Sequence, residues 1–128
     1  MKFVMVFFFI FSSAQVRAQD SNTTLVKAAA IDFLNSLQKN DFNCAKVLAT
    51  DNAIKQLDIY AQFIPMMPDS IVEAAKNRII NIVDVRVKDD KAQIKYFYKD
   101  NTYETVPSEL KLVKKKGKWL IDELFKVR

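Results

Sequence analysis

The chain reads as an α+β protein, with helices first and an antiparallel sheet after them. Three observations predict this. Apolar residues recur at the helical period from Val26 to Ile64, and the period changes to two from Ile79 onward. The pairs Asp89-Asp90, Asp100-Asn101 and Lys116-Gly117 punctuate the second half as hairpin turns. A block of helices followed by a block of strands is an α+β plan. At 128 residues the chain is one domain's worth of length, and 50% hydrophobic content suits a packed core rather than disorder.

Residues 1–18 have the pattern of a secretory signal peptide. Lys2 is a short positive start, residues 3–11 are uninterrupted apolar, and residues 12–18 are small or polar, with Val16 and Ala18 placed for cleavage after Ala18. A membrane span needs ~20 apolar residues, so this run is too short to be an anchor. The expectation is an exported protein, periplasmic or secreted, with a single domain over residues 19–128 and no membrane span in it. Cys44 is too far from the cleavage point to carry a lipoprotein's lipid.

Asn22 or Thr23 can cap a first helix reaching about Lys39, with Val26, Ala30, Phe33, Leu34 and Leu37 on one arc. Asp41 caps a short second helix predicted to hold Cys44, Ala45, Val47 and Leu48 inside, which makes Cys44 a buried, inert thiol. Thr50 or Asp51 starts a third, whose apolar face is Ala53, Ile54, Leu57, Tyr60, Ala61 and Ile64, and Pro65 and Pro68 end it. Ser70-Ile71-Val72-Glu73 reads as a capping box for a helix over Ile71–Asn77.

A turn at Asp89-Asp90 pairs Val87 with Ala92, Val85 with Ile94, Val83 with Tyr96, and on the other face Asp84 with Lys95. A turn at Asp100-Asn101 pairs Tyr98 with Tyr103 and Tyr96 with Thr105. Both registers bury the same face. The inward parity then slips before Leu110 and Leu112, so a bulge or bend is expected near Pro107-Ser108. A last turn at Lys116-Gly117 pairs Leu112 with Ile121 and Lys114 with Trp119, which puts Trp119 on the inner face.

Composition excludes several chemistries. The chain has no histidine, one cysteine and one glycine, so no Cys-cluster zinc site, disulfide framework or Gly-rich phosphate loop can be written. No cofactor, metal or catalytic residue is expected. Loss of Lys2 and Arg17 with the signal peptide leaves 18 Lys and Arg against 15 Asp and Glu, a charge of +3 that does not argue for nucleic acid. Asp32 and Asp58 are best read as solvated helix carboxylates, and the two Asp-rich turns as turns rather than calcium ligands. Lys114, Lys115, Lys116 and Lys118 read as a solvated hairpin tip. Met66-Met67 is either an exposed contact loop or a plug at the base of the core.

Two stretches carry a family resemblance. The run from Ala30 to Phe42, followed by Ala45 and Leu48, resembles the opening helix and turn of the nuclear transport factor 2-like (cystatin-like) superfamily. Gly117-Lys118-Trp119-Leu120-Ile121 is similar to the last strand of many small exported bacterial members. The resemblance implies a cone, a strongly curved antiparallel sheet wrapped round the first long helix with a pocket at its open end. It implies no single function, since members include isomerases, cyclases, dehydratases, transport proteins and scaffolds.

The expectation for this chain is a non-enzymatic module that binds a small amphipathic ligand or an envelope protein partner. The alternatives are an enzyme with a Tyr and Asp pocket, and a purely structural interaction domain, with a homodimer through the sheet as one form of assembly. The candidate ligand-contacting residues are Tyr60, Tyr96, Tyr98 and Tyr103. The last three are expected on one sheet face, where phenols give a pocket both flat apolar walls and hydroxyls.

Overall fold

The computed structural model describes residues 21–99 and 107–127, with side chains as far as residue 124. The signal segment, the Asp100-Asn101 turn, Tyr103 and Thr105 lie outside the described residues.

Helix α1 is described over residues 21–38. Its predicted arc of Val26, Ala30, Phe33, Leu34 and Leu37 is fully buried. The helix stops in a Schellman arrangement: Asn40 N–H donates to Leu37 O at 3.0 Å and Asp41 N–H to Ser36 O at 2.9 Å. This requires a left-handed residue, and Asn40 supplies it with φ 57°. Asp41 then caps α2, Phe42–Val47, by accepting from Cys44 N–H at 3.2 Å. The predicted interior of α2 needs correction. Ala45 is buried, but Cys44 is exposed and Val47 is 67% exposed. A helix of less than two turns can aim only a narrow strip at the core, and Ala45 occupies it.

Thr50 caps α3, Asp51–Phe63, accepting from Ala53 N–H at 3.4 Å. Ala53 and Leu57 are buried, and Ile54, Tyr60, Ala61 and Ile64 are half-buried on the same side. Beyond Phe63 a 3-10 turn, Ile64–Met66, leads to α4, Asp69–Ala75. The Ser70 capping box does not form. Pro68 sets the entry φ at −58° and Asp69 puts its charge on the positive helix end, so α4 starts two residues early and Ser70 falls inside its first turn.

Strands β1 (Ile79–Lys88), β2 (Lys91–Lys99), β3 (Ser108–Lys115) and β4 (Lys118–Val127) form an antiparallel sheet in sequence order. Val87 faces Ala92, Val85 faces Ile94 and Asp84 faces Lys95, as expected. Asp84 nevertheless ion-pairs along its own strand with Arg86 at 3.0 Å. Val83 does not face Tyr96. The register shifts between Ile82 and Asp84, Ile82 takes that place, and Val83 is 58% exposed. Ile79-Ile80-Asn81-Ile82-Val83 offers apolar residues in both parities. The bulge lets Ile80 and Ile82 share the core side with Val85 and Val87.

Tyr96 likewise does not pair with Thr105 but with Ser108, while Ala92 meets Leu112 and Ile94 meets Leu110. The three-residue difference changes parity and turns Leu110 and Leu112 inward, where both are buried. The last hairpin matches its expected register, Leu112 to Ile121 and Lys114 to Trp119. Lys116 at φ 53° and Gly117 at φ 77° give the positive angles that a tight hairpin turn needs. Nearer the chain end, the β3–β4 register shifts on either side of Lys111.

The α1 arc, Leu57 and the inner face of the sheet join in one buried cluster that includes Trp119, Ile121 and Leu124. The free edge of β4 is occupied. Ala49 bridges Ile121 in parallel, with Thr50 N–H donating to Ile121 O and Ile121 N–H to Leu48 O, both at 2.8 Å. Further along, Leu124 N–H donates to Gln56 Oε1 at 2.9 Å and Asn52 Nδ2 donates to Asp122 O at 2.9 Å. Two α3 side chains thus satisfy edge groups that an unpaired strand would leave open.

Candidate functional site

The buried residues of α1 share one cluster with the inner face of the sheet, and a cavity of about 230 Å³ lies beside the end of α1. Each wall comes from a different element. The end of α1 gives Leu37 and Gln38, α3 gives Tyr60, and the 3-10 turn and α4 region give Ile64, Met67, Ile71 and Ala75. The sheet gives Tyr96, Tyr98 and Ser108, and the connection between α4 and β1 gives Arg78. Three of the four tyrosines singled out from the sequence therefore meet at one cavity. The fourth, Tyr103, lies outside the described residues.

The tyrosines are positioned by ordinary packing. Tyr96 and Tyr98 are two apart on β2 and so share a face. Their rings meet edge to face, with centroids 5.6 Å apart and planes at 84°. Tyr60 leans on Phe42 of α2, centroids 5.9 Å apart. Tyr96 is 2% exposed, and burial pushes its phenol up to about 12, with hydrogen bonding to Ser108 pulling the other way. Burial raises the Tyr98 phenol as well, reinforced by the neighbouring phenols Tyr96 and Tyr60 and opposed by Arg78. The half-buried Tyr60 phenol is raised by burial and lowered by Arg78.

Arg78 is the residue that sequence reasoning missed. Gln38 Nε2 donates to its carbonyl oxygen at 2.8 Å, and its own N–H donates to Ala75 O at 3.3 Å, so its backbone is held from both sides. Its Nε is buried with no hydrogen-bond partner among the described residues. The ion pairs among those residues join Lys46 to Asp58, Lys76 to Glu73, Arg86 to Asp84 and Lys111 to Glu123, and none involves Arg78. A basic residue between a short helix and an isoleucine-rich strand, two positions after Lys76, has no spacing signature. The available signal was its place next to the apolar start of β1.

The other singled-out residues lie elsewhere. Asp32 and Asp58 are exposed, with Asp58 3.0 Å from Lys46 Nζ, and neither lines the cavity. Met66 is 78% exposed while Met67 lines the cavity, so the pair divides between the two roles open to it. Cys44 is exposed, but its thiol is pushed up by hydrogen bonding to Asp41 and by that carboxylate's charge, which disfavours a reactive thiolate. The buried carboxylate is Glu109, which accepts from Gln93 Nε2 at 2.7 Å. It alternates with the inward Ser108 and Leu110 and so belongs to the opposite sheet face. Among the described residues no three His, Cys, Asp or Glu side chains gather as metal ligands, and no helix is long and apolar enough to cross a membrane.

No protein-family model matches the chain, and no curated protein matches it. A solved protein of unknown function from Bacteroides thetaiotaomicron VPI-5482 is similar in structure, with a TM-score of 0.47 and 15% identity, over 89% of this chain and 95% of that one. At that level the likeness identifies neither a family nor an activity.

Proposed function

We propose that the chain is an exported, non-enzymatic binding module of the nuclear transport factor 2-like type, and that its tyrosine-walled cavity takes a small amphipathic ligand. The observation that carries this reading is the convergence of Tyr60, Tyr96 and Tyr98 on one cavity of about 230 Å³ from elements far apart in sequence. An apolar cavity of ~150 Å³ accommodates a benzene ring. The larger volume here suits one ring with a short substituent. The walls combine flat aromatic and aliphatic surface with a few convergent polar groups, which is how small-molecule sites are built. Phenols, an amide, a hydroxyl and an arginine hold and orient a ligand. A cone-like sheet would suit the same role, and the bulge in β1 and the shifts between β3 and β4 support it, because bulges bend strands. The export part of the reading rests on the three-part pattern of residues 1–18.

Benzyl alcohol, a neutral single-ring probe, tests the cavity directly. Its titration should shift the ring resonances of Tyr60, Tyr96 and Tyr98 saturably. Ala75→Phe, which fills the cavity from α4, should abolish those shifts. Resonances that stay fixed at saturating probe, or an unchanged response in the filled variant, would sink the reading.

A further inference from the structure

The cavity lining carries a charge with no ion-pair partner among the described residues. Arg78 lines the cavity, and its Nε is buried with no hydrogen-bond partner among the described residues. A guanidinium donor removed from water without a partner is costly, so a structure that keeps one at a cavity wall is arranged for an acceptor that arrives from outside. The described lining residues include no carboxylate and no second cation, which leaves Arg78 as the one formal charge among them. The backbone carrying it is fixed by Gln38, so the fork is presented from a held position rather than from a loose tail.

Resting on the reading of this cavity as a ligand site, we infer that its ligand is a single-ring monoanionic carboxylate, the carboxylate meeting the Arg78 guanidinium and the ring lying among Tyr60, Tyr96 and Tyr98. Arginine's planar fork matches a carboxylate in shape and charge. A phosphate monoester carries close to two negative charges, and one guanidinium would leave the second buried and unpaired. Size agrees with this choice. About 230 Å³ exceeds the ~150 Å³ that a bare benzene ring needs by the room for one small charged group.

The test compares benzoate with benzyl alcohol, which differ in charge far more than in shape, by titration of the purified protein with the tyrosine resonances as readout. Benzoate should bind about tenfold tighter or more, the margin of a charge-assisted pair. In Arg78→Gln that preference should shrink to within about twofold. Arg78→Lys should keep part of it, because a point charge replaces the fork. Equal binding of the two probes to the unmodified protein would overturn the carboxylate assignment and leave the cavity reading standing, with no variant needed. Displacement of benzoate by inorganic phosphate at equal concentration would also overturn it. If neither probe moves the tyrosines, the cavity reading itself fails, and this inference fails with it.

Discussion

Tyr96 shows how one residue joins packing to chemistry. It belongs to the buried cluster and also forms part of the cavity wall. Its phenol ionises near 12 in the folded chain against 10.0 ordinarily, so between those values the folded state holds a proton that the unfolded state has lost. Stability must therefore be fully present below pH 10 and fall as pH rises toward 12, and Tyr98 acts in the same direction. An alkaline titration followed by phenolate absorbance, paired with denaturant melts across that window, checks this. Full phenolate absorbance from all tyrosines at the ordinary phenol pH, in a protein still folded, would contradict it. Trp119 has a simpler role. It is 4% exposed in the same cluster, with Lys114 Nζ 5.9 Å above its ring centre. Trp119→Ala should cost ~3–5 kcal/mol in denaturant unfolding, a large share of the ~5–15 kcal/mol that holds such a domain together. A variant that melts like the parent would mean the indole is not packed as described.

The helix α3 and the strand β4 stabilise each other through polar groups as well as apolar ones. Thr50 is the hinge of this arrangement. Its hydroxyl accepts from Ala53 N–H to start α3 and donates to Asp122 Oδ1 at 2.8 Å on β4, while its own N–H pairs with Ile121 O. Thr50→Ala removes the cap and the Asp122 bond together and should lower stability by ~1–2 kcal/mol. Thr50→Ser keeps the oxygen and should lose much less. Equal losses in the two variants would assign the effect to the methyl group's packing instead. The helix α4 stands in contrast, because none of its side chains is buried and it contributes wall rather than core.

For the molecule as a whole, the plan is two layers with the cavity left where the helical layer ends. α1 covers the inner sheet face with five buried residues, and past Leu37 the cover passes to short elements that pack less completely. That step in cover creates the cavity beside Tyr96 and Tyr98. A ligand-binding module of this kind would act outside the cytoplasm if residues 1–18 direct export. Mass measurement of the protein made by its native host should then give a chain starting near Gln19. An intact Met1 on the folded protein would remove export from the proposal.

The amino-acid sequence by itself determined what depends on near neighbours. The α1 stripe follows from residues three and four apart, and the last hairpin's register from two turn residues and alternating parity. The shared face of Tyr96 and Tyr98 follows from a spacing of two. Tertiary structure decided wherever local signals tied or competed. Ile82 and Val83 are equally apolar, and only the need to seat Ile80 and Ile82 against the core chose the bulge that exposes Val83. Tyr96 pairs with Ser108 rather than Thr105, in the register that buries Leu110 and Leu112. The cavity was beyond local reading for the same reason. Gln38, Tyr60 and Tyr96 lie on three elements and Arg78 on a connection, and no spacing along the chain encodes a distance that exists only after α1, α3 and the sheet have packed. The tyrosines could be guessed because aromatic residues with a polar tip suit a pocket wall. Arg78 could not, because its significance is a buried Nε without a hydrogen-bond partner among the described residues, which only the folded arrangement reveals.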